Sequence, residues 1–307
     1  MVSICRGFLL LFLSFFMFHL SANVEVYPNS NGCSLPPLPK PRLSPATFLT
    51  AGPNPVIATC GGDNVGESCL VLDPSNHRWD DSMMGDLRYG RSMASSGVAR
   101  LNSLGVYILG DQSSGTITDF LAAGTMQWQN GPFLPYEIRG DGFGATICAV
   151  TISETSFLAI RGTDIREFDA SISGPTSKEG WREAGRWPSL KTMRISSPGC
   201  TKLGQKVIIA GGFKRRSTEV LDLETREITS GGPMAQPRFW FHLGTIIGSG
   251  GRETLFAFGG EDDKGGIMNV VEEWVEESGT WKAAKSLAEP KAYYGAIVAP
   301  KEIVCPV

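Results

Sequence analysis

Five apolar runs, each closed by glycine, recur along this chain at Gly61, Gly110, Gly162, Gly211 and Gly259, at intervals of 49, 52, 49 and 48 residues. So regular a period limits the fold more than any composition does. Each copy must be one supersecondary unit that buries its apolar face against its neighbours. The runs are VIATC, VYIL, LAIR, VIIA and LFAF, which have strand length and strand character. Outside the N-terminal segment no stretch keeps a 3.6-residue apolar period. With 37 Gly and 19 Pro among 307 residues, turns are frequent enough for many short strands.

Two further positions recur in phase. An aromatic position follows each run, filled by Trp79, Trp128, Trp181 and Trp281, with Ile228 in the fourth copy. Beyond it comes a basic residue: Arg91, Arg139, Arg194, Arg238 and Lys291. In the fourth copy the turn residues separate four strands, at 199–203, 206–212, 218–223 and 227–230. The repeating unit is therefore expected to be a four-stranded antiparallel sheet.

The Gly-Gly doublets (Gly61-Gly62, Gly211-Gly212, Gly259-Gly260), the acidic-aliphatic strands TEVLDL and VVEEW, the Trp and the closing Pro237-Arg238 resemble Kelch repeats. The resemblance covers nearly the whole chain after residue 22, although the second and third copies carry Gly110-Asp111 and Gly162-Thr163 instead of the doublet. It implies a β-propeller. Residues 24–42 match 219–238 and read as the third and fourth strands of one more unit; Arg42 falls at its basic position and Cys33 near its Trp position. Residues 292–299 and 302–307 read as the first and second strands of that unit, with Cys305 in the register of Cys60. The expected fold is all-β: a six-bladed Kelch β-propeller of four-stranded antiparallel blades, its closing blade shared between the two termini so that no sheet edge stays open.

Residues 8–20, FLLLFLSFFMFHL, follow Arg6 and precede Ser21-Ala22. A run this short, before small residues, reads as a secretory signal peptide rather than a membrane span, which needs about 20 apolar residues. The expected organisation is a signal peptide at 1–22 and a propeller at 23–307, secreted, with no membrane span once the signal is gone. Losing Arg6 leaves 27 basic against 31 acidic side chains, and such a surface gives no general attraction to nucleic acid. Six cysteines then remain, an even number that favours disulfides in an oxidising compartment but allows 15 pairings. Cys60 and Cys69 flank a hairpin-length connection, Cys148 and Cys200 fall on the innermost strands of consecutive blades, and Cys33 and Cys305 are left to join the chain ends.

Arg42, Arg91, Arg139, Arg194, Arg238 and Lys291 occupy equivalent places where the chain turns into an innermost strand, so rotational symmetry would gather six cations around the channel mouth. Two readings stay open. The cations could hold carboxylates of a ligand, as the resemblance to Kelch-type ubiquitin-ligase adaptors implies, or they could tie blade to blade. The four in-register Trp residues read as packing between blades, whereas Trp240, in Phe239-Trp240-Phe241-His242, lies outside that register and could floor a pocket. Glu261-Asp262-Asp263 lacks the alternate spacing of a calcium loop, and no Cys/His cluster suggests zinc, so no metal and no cofactor is expected.

No catalytic residue is assigned. The expectation is a secreted, non-enzymatic binding module whose partner is an extracellular protein or glycan, with acidic ligands preferred. Two enzyme alternatives follow from the resemblance. Copper-radical oxidases need two His ligands and a Tyr cross-linked to Cys, and only His77 and His242 remain outside the signal. Sialic-acid epimerases would suit a cationic mouth, with Asp141 and His242 as positional candidates for acid–base work. An extracellular matrix component is the remaining alternative, but the chain has none of the low-complexity tracts that would favour it.

Overall fold

A computed structural model of the chain describes residues 8–13, 24–27, 35–62, 65–89, 97–110, 117–135, 147–194, 197–247 and 251–304. The N-terminal strands β1 (Phe8–Leu13) and β2 (Val24–Tyr27) are followed by five antiparallel sheets, each made from one continuous stretch of chain. The first holds β3 (Ala46–Leu49), β4 (Ile57–Cys60), β5 (Cys69–Asp73) and β6 (Arg78–Asp80). The second holds β7 (Gly97–Leu101), β8 (Gly105–Leu109), β9 (Thr118–Ala122) and β10 (Trp128–Asn130). The third has β11 (Cys148–Thr151), β12 (Ser156–Arg161) and β13 (Asp164–Asp169), then the short helix α1 (Ala170–Ser173). The fourth comprises β14 (Gly199–Leu203), β15 (Lys206–Ala210), β16 (Thr218–Asp222) and β17 (Ile228–Gly231). The fifth comprises β18 (His242–Ile247), β19 (Glu253–Phe258), β20 (Val271–Val275) and β21 (Thr280–Ala283). The chain continues through β22 (Gly295–Pro300) and α2 (Lys301–Val304).

This is a β-propeller of small antiparallel sheets, with almost no helix. Its inner strands run side by side in the order β3, β7, β11, β14, β18 and β22, and β22 returns to β3. The second strands are wedged between neighbouring blades, so β4, β8 and most of β15 are buried along their length, which is why they read as unbroken apolar runs. Outermost strands β6, β17 and β21 are largely open to solvent and carry no such signal.

Five blades, not six, are present. The chain ends make a three-stranded sheet in the order β2-β1-β22 instead of the expected four-stranded closing blade. Lys301–Val304 is helical where the second strand was expected from residue 302 onward, and the place beside β22 is taken by β1 with Leu10 opposite Val298. The apolar run Phe8–Leu13 has the composition of every other second strand, so it fits that place. β2 is third, as expected, but residues 35–41 add no strand: Pro36, Pro37, Pro39 and Pro41 cannot donate to a ladder. The third blade is also short by one strand. Its fourth position shrinks to an isolated bridge between Trp181 and Phe168, because the insertion carrying α1, whose N-cap Asp169 accepts from the Ser171 amide, carries the chain away from the ladder.

The in-register Trp residues pack between sheets. Trp128 meets Phe48 of the preceding blade edge-on at 5.7 Å, and Trp281 donates from Nε1 to Thr218 Oγ1 of the preceding blade at 2.9 Å. Trp181 lies against Phe157 and Phe168, which also contact Tyr107 of the second blade. Disulfides join Cys60 to Cys69 across the β4–β5 hairpin and Cys148 to Cys200 across the inner strands of the third and fourth blades, with Cα separations of 4.1 and 6.0 Å. Cys33 and Cys305 lie outside the described residues. Among those described, no helix is long and apolar enough to cross a membrane.

The recurrent basic residues knit this ring. Arg238 donates to the carbonyls of Gly259 and Val270 and pairs with Glu272, all in the blade it leads into, while its own carbonyl accepts from the Gly212 amide of the blade before. Arg194 repeats the pattern on Gly211, Ser217 and Glu219, and Arg42 on Gly61 and Ser68. Both Arg–carboxylate pairs are almost wholly buried. Removing one partner of such a pair strands a buried charge, at a cost of about 3–5 kcal/mol. Arg238→Ala should accordingly lose about that much in urea unfolding, whereas Arg252→Ala, which breaks a fully solvated pair with Glu277, should stay within about 0.5 kcal/mol of the parent.

Candidate functional site

The segments leading from each basic residue into an inner strand share a backbone feature that composition does not reveal. Ser44, Ser197, Trp240 and Tyr293, two or three residues beyond Arg42, Arg194, Arg238 and Lys291, are all left-handed, with φ of 53°, 53°, 49° and 56°. The corresponding segments before β7 and β11 lie outside the described residues. For a bulky aromatic residue this region is costly, of the order of 1–3 kcal/mol, and is held only where the surroundings impose it. The surroundings here form a belt of backbone hydrogen bonds, in which the Tyr293 amide donates to Trp240 O and the Ser44 amide to Tyr293 O at 2.7 Å.

All four residues line a cavity of about 460 Å³ at the centre of the ring of inner strands. That volume lies within the range of small-molecule sites, about 300–1,000 Å³. At its rim the Trp240 and Tyr293 rings stack with centroids 4.0 Å apart, and the contact continues outward through Phe239 to the exposed Phe213. The Tyr293 hydroxyl donates to Glu261 Oε2 at 2.8 Å; burial and this carboxylate push its pKa upward, so it stays a phenol and a donor. His242, half-buried, also lines the cavity, and desolvation drives its pKa down to about 4. At neutral pH it is an uncharged imidazole.

Among the described residues lining the cavity, Arg100 is the one charged group. Its Nε donates to Thr50 O at 3.0 Å and its pKa is lowered by burial. The remaining wall is hydroxyl-bearing or apolar, with Ser44, Ser197, Thr201 and Thr245 beside Val98 and Ile147, and the Cys148–Cys200 disulfide is part of it.

Four of the six expected cations are described, and none of these four lines the cavity. Arg42, Arg194, Arg238 and Lys291 are buried, with at most 3% of their surface exposed; the three guanidinium groups are turned into the blades, and Lys291 Nζ meets Glu289 of its own connection at 3.4 Å. Desolvation lowers the pKa of Arg42 to about 10 and moves those of Arg194 and Arg238 in the same direction, with the facing Glu219 and Glu272 opposing it in the last two. Arg91, Arg139 and Asp141 fall outside the described residues. Trp240, singled out as a possible pocket floor, does reach the cavity, at its rim. Tyr293 was missed, although it stands at the same offset from Lys291 as Trp240 from Arg238. Asp262 Oδ1 accepts the amides of Lys264 and Gly266, a turn-closing role, and the described residues contain no cluster of three metal-ligating side chains.

No family model matches this chain, and no curated protein matches it in sequence. What fold and site define is a β-propeller with a central cavity whose described lining carries one charged group, Arg100, and the aromatic pair Trp240 and Tyr293.

His242 gives the site a pH signature. Its pKa falls from about 6.5 unfolded to about 4 folded, so the unfolded chain takes up the proton first as pH drops. Stability is therefore unaffected by this group above pH 6.5, declines between pH 6.5 and 4, and is lower by about 3 kcal/mol once below 4. Urea unfolding across that interval should fall less steeply for His242→Gln than for the parent.

Proposed function

We propose that the protein is a binding module that acts without chemistry on its ligand, carrying that ligand at the rim and upper wall of the central cavity. The observation behind this is the rigid Trp240–Tyr293 pair, held in a strained backbone at the mouth of a ligand-sized cavity. Propellers present such a rim on a fixed scaffold, which suits recognition. The chain is also read as a secreted protein of Kelch type, supported by the repeat, the two disulfides and the N-terminal apolar run.

The buried arginines lend no support to a preference for acidic ligands, since their donors are taken by carbonyls and carboxylates of the blades. A sialic-acid epimerase would need, beside a cation such as Arg100 for the substrate carboxylate, a group tuned for proton transfer. His242, neutral and of low basicity, is a poor proton acceptor.

Arrays of extracellular proteins, peptides and glycans, probed with the disulfide-intact chain, test this reading. Retention should weaken about tenfold in Trp240→Ala, equivalent to about 1.4 kcal/mol, and N-acetylneuraminate anomers should interconvert at the buffer rate. Acceleration lost in His242→Gln would make the protein an enzyme instead. Secretion has its own check. N-terminal sequencing of protein recovered from culture medium should begin at Asn23, which would take β1 out of the β2-β1-β22 sheet, and a start before Phe8 would show that β1 is kept as a structural strand.

A further inference from the structure

Arg100 carries more than its place in the fold requires. It stands on inner strand β7 opposite Val106, as Lys202 stands opposite Val207 in β14 and Thr245 opposite Leu255 in β18. Each of those partners lies three residues before the end of its apolar run, so the three positions share one register. At this level every side chain reaches back to a backbone carbonyl of the preceding blade. Lys202 Nζ donates to Ile152 O at 3.1 Å, Thr245 Oγ1 to Lys202 O at 2.9 Å and Arg100 Nε to Thr50 O at 3.0 Å. Neighbouring inner strands belong to different sheets, so these bonds stitch one blade to the next. One donor is enough for a stitch, as the Thr245 hydroxyl shows, and Arg100 meets that need with Nε alone.

The rest of the guanidinium is surplus to the fold. Among the described residues neither terminal nitrogen of Arg100 has a hydrogen-bond partner, and neither is shut away from open space. In Arg194 and Arg238 the terminal nitrogens are taken by carbonyls and by Glu219 and Glu272. Those carboxylates offset part of the desolvation of their arginines, whereas burial acts on Arg100 with no carboxylate opposing it. A partly desolvated cation left unpaired is a standing cost, which an opposite charge brought in by a ligand offsets. With Nε held, the free edge of the guanidinium is the one between Nη1 and Nη2, where two N–H bonds point the same way in one plane. A carboxylate matches that edge with two coplanar oxygens and carries the single negative charge that one guanidinium balances. A phosphate monoester carries close to two charges at neutral pH.

The cavity of about 460 Å³ suits a small molecule, and Arg100 lies three residues past Gly97, where β7 begins, so the ligand must reach beyond the rim. Apolar Leu49, Val98 and Ile147 line the same cavity, and the exclusion of water there strengthens an ion pair. We propose, on the reading that the cavity is the binding site, that Arg100 holds the carboxylate of a small organic acid, gripping it bidentately through Nη1 and Nη2. Recognition is charge-assisted and weakens as ionic strength rises.

Two measurements on the folded, disulfide-intact protein test this. Modification by phenylglyoxal, a guanidinium reagent, is mapped by peptide mass. Arg100 should react while Arg194 and Arg238, buried and with their terminal nitrogens engaged, stay intact; an unreactive Arg100 overturns the proposal. Calorimetry then follows hippurate, glucuronate and N-acetylneuraminate beside their methyl esters and glucose 6-phosphate. At least one acid should bind saturably, shield Arg100 from phenylglyoxal and bind about tenfold more tightly than its ester. Arg100→Thr, patterned on Thr245, should unfold in urea like the parent and lose the acid about tenfold, with Arg100→Lys, which keeps the charge without the fork, in between. If Arg100→Thr does not fold, the ester comparison and the shielding in the parent decide the matter. Esters that bind as well as acids, tighter binding of glucose 6-phosphate, or acid binding that leaves Arg100 reactive overturns the proposal. If no acid binds, the carboxylate assignment fails; it fails alone where an array ligand still depends on Trp240, and together with the binding-module reading where none does.

Discussion

The ring depends on one repeated arrangement, a buried basic residue placed where the chain passes from one blade to the next. Arg238 shows both halves of it: the guanidinium closes the connection between the second and third strands of its own blade, and the backbone carbonyl accepts from Gly212 in the blade before. Lys291 repeats the second half, taking the Gly260 amide at 2.7 Å. The glycines are required by this closeness. A Cβ on Gly211 or Gly259 would lie within 2.5 Å of the carbonyl oxygen of Arg238 or Lys291, and both glycines are left-handed. Basic residue and Gly doublet are thus two sides of one contact, which explains why they recur together at the same period.

That contact also shapes the mouth of the channel. Once Arg238 and Lys291 are anchored inward, the chain has only a few residues in which to turn into the inner strand, and it does so through a left-handed residue that faces the cavity. The side chain at this position can vary freely between blades without disturbing the anchor. Trp240 and Tyr293 fill it side by side, with Ser197 next to Trp240 and Ser44 next to Tyr293. The scaffold is repetitive, but the rim is not, and specificity resides in that difference.

Much of this was legible in one dimension. Strand β14 spans the residues expected, and the Cys60–Cys69 and Cys148–Cys200 bridges join positions that the repeat register had already brought near each other. The number of blades was not legible: six four-stranded blades were expected, and five blades with a three-stranded sheet from the chain ends are present. Strand composition tells which segments can occupy a second-strand position, but not which of two candidates does. The C-terminal tail was expected there and Phe8–Leu13 was read as part of a signal peptide, yet it is Phe8–Leu13 that pairs with β22.

The sequence alone determined the repeat and the all-β class, and it brought the in-register Trp residues between blades and two cysteine pairs near each other, because each follows from periodic burial or from the register of the repeat. Tertiary structure decided what the basic residues do. A cation at a fixed offset can point along the channel or back into its blade, and only the facing carbonyls and the buried Glu219 and Glu272 turn Arg194 and Arg238 inward. It also decided that Trp240 and Tyr293 meet at the cavity, since stacking between residues 53 positions apart exists only once the ring of strands has closed.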